Sequence, residues 1–301
     1  MATAQLTPIG VGIHNVLIAT DFSQSSNQAL DFALKLAKGY KAETYVVFVL
    51  PSDEFILAGP EAYVAAREAA RRDLETLKVE LKESHACTEG EDYHLYLLEG
   101  EVAPSILNFA HEKHIDLIVV GTHGRGGFGK AIMGSVSELV FRGSSVPVLT
   151  IGPNARHVQN ALAPKNMLVA ADFTPASERA AQYAAGLASK HHSKLTLLHV
   201  VNPRELEHQP DRDRILQVMK RNLQALLGPD TSVPCALRID PGRVPATVLC
   251  AARELEADLL VVGVRPAVPV LSRFMWPNAY EIVRESPCPV LTVRERHQEE
   301  F

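Results

Sequence analysis

The chain repeats itself, and no other feature constrains its fold as tightly. Asn15 to Leu50 matches Asn166 to Val201: Asp21-Phe22 answers Asp172-Phe173, Ser26 answers Ser177, and Ala29, Ala33, Leu36 and Ala37 answer Ala180, Ala184, Leu187 and Ala188. Farther on, Asp116-Leu-Ile-Val-Val-Gly121 answers Asp258-Leu-Leu-Val-Val-Gly263, and Pro147 to Thr150 answers Pro289 to Thr292. The second copy is shorter in its middle, between strand 2 and helix 3. A chain of 301 residues holds two such domains, each able to bury its own core. The expected boundaries are 1–152 and 165–301. The linker from Gly152 to Pro164 contains Pro153, Asn154 and Asn160 and shows no periodicity.

Within each copy, apolar runs alternate with helical patterns, which predicts an α/β fold: two tandem doubly wound domains, each a five-stranded parallel sheet flanked by helices. In the first copy the strands fall near 15 to 20, 44 to 50, 93 to 99, 116 to 121 and 147 to 151. Ser25 to Lys38 places Leu30, Ala33, Leu34 and Ala37 at helical spacing, and Glu61 to Glu83 reads as a long charged helix. Ser23 and Thr174 are the expected N-caps of the first helix in each copy. A strand order of 3-2-1-4-5 makes strands 1 and 4 neighbours where the winding reverses, and ligands bind at such reversals outside the carboxyl ends of the strands. Asp21 and Gly121 would then face one crevice, with Val49 as a wall.

Gly121 to Ser137 is the run that carries chemistry. It follows the apolar Leu117-Ile-Val-Val120 and contains Gly121, Gly124, Gly126, Gly127, Gly129 and Gly134 before Ser135 and Ser137. A buried strand emptying into glycines and then a helix can aim several backbone N–H groups at an anion, and the helix dipole favours negative charge there. The P-loop pattern fails, because Gly129-Lys130 is followed by Ala131 rather than Ser or Thr. A dinucleotide fingerprint fits poorly, since the glycines follow the fourth strand and no acidic residue opens a ribose-binding strand about 20 positions on. A mobile surface loop is the plainer alternative. Asp21 likewise has two readings, as an acceptor for ribose hydroxyls or as a local helix cap.

These motifs resemble the universal stress protein family in its tandem form. The family pattern of Gly, two residues, Gly, nine residues, Gly and then Ser or Thr is met by Gly121, Gly124, Gly134 and Ser135; Asp21-Phe22-Ser23 and Val146 to Leu149 are also family-like. The resemblance covers nearly the whole chain outside the termini and linker. It implies ATP as the ligand, alone or with Mg2+. Asp21 would meet the ribose, Val49 and the Ala19-Thr20 backbone would flank adenine, and Val120 and Gly121 would line the base and sugar. Gly124, Gly134, Ser135, Val136 and Ser137 would surround the phosphates, with His123, Arg125 and Lys130 as further cations of the loop. The second copy keeps Gly263, but Pro266, Trp276 and Pro277 stand where Gly124, Gly134 and Ser135 stand in the first. One nucleotide site per chain is therefore expected, with Arg265 and Arg273 leaving positive charge near the degenerate crevice. The resemblance further implies pairing of the two copies through strand 5, forming an internal pseudo-dimer, and association of two chains as a homodimer.

Several classes fall away on composition. The net charge of −5 and the lack of a basic run argue against nucleic acid as the main partner. No apolar segment approaches the roughly 18 residues of a membrane span, and Met1 to Gly12 lacks the parts of a signal peptide, so the cytoplasm is the expected location. Cys87, Cys235, Cys250 and Cys288 have no Cys-x-x-Cys spacing and read as free thiols, with Cys250 in the core of an apolar helix. His111 with His114, and His191 with His192, lack a Cys or carboxylate at ligand spacing, so no metal site is expected. Three functions remain: an ATP-binding regulator of the stress response, a slow ATPase or phosphoryl-transfer enzyme, and a nucleotide-free scaffold.

Overall fold

The computed structural model describes residues 11–52, 59–85, 89–122, 134–207, 211–229, 233–265 and 277–295. Its contacts divide the chain into two compact units, Ile13–Pro153 and a second from Asn154 onward. The first unit runs β1 (Asn15–Ala19), α1 (Gln24–Tyr40), β2 (Glu43–Leu50), α2 (Pro60–His85), β3 (His94–Glu99), α3 (Val102–Glu112), β4 (Leu117–Gly121), α4 (Ser135–Gly143) and β5 (Val148–Ile151). All its strand pairs are parallel, in the order β3-β2-β1-β4-β5. The second unit runs β6 (Asn166–Ala170), α5 (Pro175–His191), β7 (Lys194–Val201), α6 (Pro203–Leu206), α7 (Arg212–Ala225), β8 (Cys235–Pro241), α8 (Val244–Glu254), β9 (Leu259–Val264), α9 (Pro277–Glu285) and β10 (Val290–Arg294). Its order is β8-β7-β6-β9-β10, again parallel. The doubly wound fold is thus built twice, with short α6 and α7 replacing the long α2.

The strands are continuous apolar runs because both faces of the sheet are covered. In the first unit Leu17, Val47, Val49, Ile118, Val120 and Val148 share a core with Ala103, Ile106, Phe109 and Ala110 of α3 and Val140 of α4. The alternate residues Val16, Ile18, Val46 and Val119 are also buried, as are Ala29, Phe32, Ala33 and Leu36 of α1. Each large side chain so buried contributes roughly 1.5–3 kcal/mol, against which the ordering of the chain must be set.

The helices start and stop by the same devices in both copies. Ser23 and Thr174 cap α1 and α5 by accepting from the amides of Ser26 and Ser177, both at 3.3 Å. At the other end Lys41 and His192 adopt left-handed backbone, and the next residues, Ala42 and Ser193, donate their amides to Ala37 and Ala188 at 2.8 and 2.9 Å. Ser144 and Ser286, both buried, donate to the Val146 and Cys288 carbonyls at 2.7 Å and turn the chain into the last strand.

Two expectations need correction. Cys250 is exposed, because α8 buries Val248, Leu249, Ala251 and Ala252 and turns position 250 outward, where the thiol lies 3.3 Å from Glu254. The segment read as an aperiodic linker contains a 3-10 turn at Val158–Leu162 and is held within the second unit, where Asn160 bonds Asp258 at 3.0 Å and the Arg156 amide bonds the Pro287 carbonyl. Among the described residues no helix is long and apolar enough to cross a membrane.

The reversal of winding is locked by one carboxylate per copy. Asp116 Oδ2 accepts from the amides of His14 and Asn15 at 2.8 and 2.9 Å, and Asp258 Oδ2 accepts from Lys165 and Asn166 at 2.8 and 3.0 Å. Each aspartate thereby ties the start of the fourth strand of its copy to the start of the first. Asp116→Ala leaves two amides without this acceptor and should lower unfolding stability by roughly 1–3 kcal/mol, read as a lower urea midpoint at unchanged slope.

Candidate functional site

The crevice of the first unit opens where β1 and β4 end side by side. Val16, Leu17 and Ile18 pair with Leu117, Ile118 and Val119, so Thr20 and Asp21 leave β1 next to the point where Gly121 and Thr122 leave β4. The Thr20 amide is already spent on the Val47 carbonyl at 2.9 Å, which carries the chain past the sheet edge before it turns at Phe22, φ 60°. Phe22 then lies against Phe48, with ring centroids 4.9 Å apart. Asp21 is half-buried, and its Oδ1 accepts from the Ser23 amide at 3.0 Å.

The two ends of the glycine loop are drawn together. The Gly134 amide donates to the Thr122 carbonyl at 2.6 Å, and the Thr122 amide bonds Ile151 at 3.2 Å. Gly134 is the N-cap of α4 and supplies no capping side chain, so nothing at that position covers the first-turn amides of Ser135, Val136 and Ser137. Ser135 is exposed. Ser137 is buried, and its hydroxyl donates to the Gly121 carbonyl at 2.6 Å, so this side chain braces the strand end and its proton is not aimed at a ligand. Gly124, with His123, Arg125 and Lys130, lies outside the described residues.

The apolar members of the expected site belong to one cluster. Val49 and Val120 are 5% and 3% exposed within it, and Ala19 and Val136 pack against it with part of their surface open. Gly121 faces the other way. A Cβ there would stand 2.8 Å from the Ser25 carbonyl oxygen, so this glycine lets the first turn of α1 sit on the end of β4. Gly263 has the same neighbour relation with the Ala176 carbonyl of α5, which explains why the second copy keeps this glycine although Pro266 and Trp276, outside the described residues, replace the others. Thr122 was missed in the sequence: it is buried, and its backbone closes the loop, but a threonine after a glycine carries no signal of that role.

The second unit builds the corresponding crevice differently. Pro277 begins α9 where Ser135 begins α4, and proline brings no N–H. Asp172 is engaged by its own helix start: Oδ1 accepts from the Ser177 hydroxyl at 2.6 Å, the Thr174 hydroxyl at 2.5 Å and the Thr174 amide at 3.2 Å. Partial burial pushes its carboxyl up, but these hydrogen bonds and the positive charge of Arg265 outweigh that and hold it below the ordinary value. His199, in the place of Phe48, lies 4.2 Å from the Phe173 ring, and its Nδ1 bonds the Ala171 carbonyl at 2.9 Å. Arg265 is exposed at the end of β9. Among the described residues no three His, Cys, Asp or Glu side chains gather as a metal site.

With this geometry in hand, the comparisons with known proteins agree with one another. The sequence profile of the universal stress protein family matches residues 12–152 and again 164–294. A universal stress protein of Bacillus subtilis is 34% identical over 147 residues, 46% of this chain and 98% of the relative. One from Mycolicibacterium smegmatis is 24% identical over 298 residues, 94% of this chain and 98% of the relative. The crystal structure of a universal stress protein from Archaeoglobus fulgidus superposes with a TM-score of 0.71 at 25% identity, covering 93% of this chain and 98% of that one.

The glycine at the end of the fourth strand should be needed for packing in both copies. Gly121→Ala and Gly263→Ala should each destabilise by roughly 1–3 kcal/mol in chemical denaturation. If only the first did so, the helix-packing account of Gly263 would be wrong. Acid behaviour tests Asp172. Its folded pKa lies below the unfolded value of about 3.9, so its contribution is full above that value and is lost as pH falls through the folded pKa. The stability gap between wild type and Asp172→Asn should be largest near neutrality and close progressively below about pH 4.

Proposed function

The chain belongs to the universal stress protein family, and on that premise we propose that its first unit is an adenine-nucleotide-binding module for ATP, through which a cytoplasmic stress-response regulator senses nucleotide. The observation that carries this reading is the asymmetry of the two crevices. One has an uncapped nine-residue helix behind a glycine loop, and the other has a proline at the same helix start and an aspartate taken up by its own cap. The residues of the first crevice suit the ligand. Gly134 lets an anion approach the amides of Ser135, Val136 and Ser137, and the exposed Ser135 adds a hydroxyl donor. Gly124 would extend the cradle on the loop side.

Asp21 is the group for the sugar. An ionised carboxylate is an acceptor-only group with two oxygens, and at the end of β1, where Asp21 also accepts from the Ser23 amide, it suits the pair of ribose hydroxyls. Ala19, Val49, Val120 and Val136 supply the apolar side on which adenine would lie, with Gly121 and the Thr20 backbone beside it. ATP, when bound, would supply the charge that the helix end neutralises; these residues bind and orient it. The free thiols of Cys235, Cys250 and Cys288 suit a reducing compartment.

Calorimetric titration of ATP with and without Mg2+ tests the proposal. The expected result is close to one ATP per chain, with Asp21→Ala weakening binding about tenfold or more and Asp172→Ala leaving it unchanged. Two ATP per chain would overturn the one-site assignment. Absence of binding up to millimolar ATP would favour a scaffold, and ADP release above background that Asp21→Ala abolishes would favour turnover.

A further inference from the structure

The helices that follow the second strand of each copy differ in charge as well as in length. α2 buries Ala70, Leu74, Leu77 and Leu81, so its opposite face exposes Glu61, Val64 and Glu68. α7 buries Leu223, with Leu216 and Met219 half-buried beside it, and its opposite face exposes Arg214, Val218 and Arg221. Among the described residues four large apolar side chains are exposed, and three of them, Val64, Val79 and Val218, lie on these two helices. The salt bridges of α2 join Arg67 to Glu99 and Lys78 to Glu89, and those of the second unit are made by Arg238, Arg243 and Arg284. Among the described residues, then, Glu61, Glu68, Arg214 and Arg221 flank exposed valines without taking part in a salt bridge.

The two faces match when the helices run antiparallel. Glu61 and Glu68 are seven residues apart with Val64 between them, and Arg214 and Arg221 are seven apart with Val218 between them. Each pair therefore spans about 10 Å along its helix axis. Setting Val64 opposite Val218 brings Glu61 opposite Arg221 and Glu68 opposite Arg214, and the same register carries Arg71 to Asp211, the N-cap of α7. Run parallel, the same valine pairing would bring the two glutamates to Ile215 and Asn222 instead. We propose that α2 of one copy of the chain packs antiparallel against α7 of a second copy, with the valines at the centre of the contact and an ion pair on either side. Each partner contributes a different patch, so in a two-fold dimer the contact forms twice and uses each helix once. A single exposed ion pair contributes little. The charges select the partner and its direction, and the buried valines add to the affinity.

Sedimentation velocity of the full chain without nucleotide tests this, so its outcome is separate from that of the nucleotide reading. Wild type should form a dimer at low ionic strength, and raising the salt to about 0.5 M should weaken it about tenfold. Arg214→Glu with Arg221→Glu sets like charges against each other and should leave a monomer, as should Glu61→Arg with Glu68→Arg. A chain carrying all four substitutions should dimerise again. So should an equimolar mixture of the two double variants, a rescue that damage to the fold would not give. A wild-type dissociation constant weaker than about 100 μM would overturn the proposal. It would also fall if either double variant associated as wild type does, or if neither rescue restored the dimer. A monomeric wild type that instead bound phosphatidylserine vesicles through Arg214 and Arg221 would overturn it in favour of a membrane-facing α7.

Discussion

The pairing of the first strand with the fourth is the interaction on which each unit depends. These strands are distant in sequence, and their contact is where the winding of the sheet changes direction. At one end Asp116 and Asp258 gather backbone amides and set the start of the pair. At the other end Gly121 and Gly263 have no Cβ, and the first turn of the neighbouring helix rests on the strand. Between them the sheet is apolar on both faces and leaves little freedom to slide, because a shift of one residue would exchange its two faces. The crevice follows from this pairing, since two chains that leave adjacent parallel strands toward helices on opposite faces must part.

The two crevices differ in how a few short polar side chains spend their hydrogen bonds. Aspartate beside a helix start is a good cap and a good acceptor for a hydroxylated ligand, and the two roles draw on the same oxygens. Asp172 has been taken by the first role: three protein donors converge on one oxygen and hold the carboxyl in its charged form. Asp21 shares the cap geometry through Ser23, but Ser26 is engaged elsewhere. The same backbone turn can therefore hold its aspartate in two different hydrogen-bond settings. The helix start of the last α-helix completes the contrast, because glycine before serine leaves amides in reach whereas proline removes one.

Much of this could be read before the structure, and the reasons are specific. The strands were legible because parallel strands buried on both faces are unbroken apolar runs, as in Leu117 to Val120 and Leu259 to Val262. Ser23 and Thr174 were legible as caps because capping is local. The repeat gave the duplication, and the losses at Pro266, Trp276 and Pro277 marked the second copy as different. Cys250 misled because an apolar composition does not say which side of a helix faces the core, and the exposed position lies between buried Leu249 and Ala251. Ser137 looked like a phosphate ligand by its place near the helix start, but its hydroxyl is committed to Gly121.

The sequence by itself determined that this chain is two copies of one doubly wound unit, that each copy has an aspartate after its first strand, and that one copy alone retains the glycine loop. Those are properties of period, spacing and residue type, which neighbours along the chain express without help. Only the tertiary structure decided that Gly121 and Gly263 serve helix packing and that Asp172 is consumed by its own cap. Each of these depends on where a proton or a Cβ points in space, and hydrogen bonds and close packing are directional over a few ångströms. A one-dimensional pattern states which groups are present; the fold decides which of them are already satisfied.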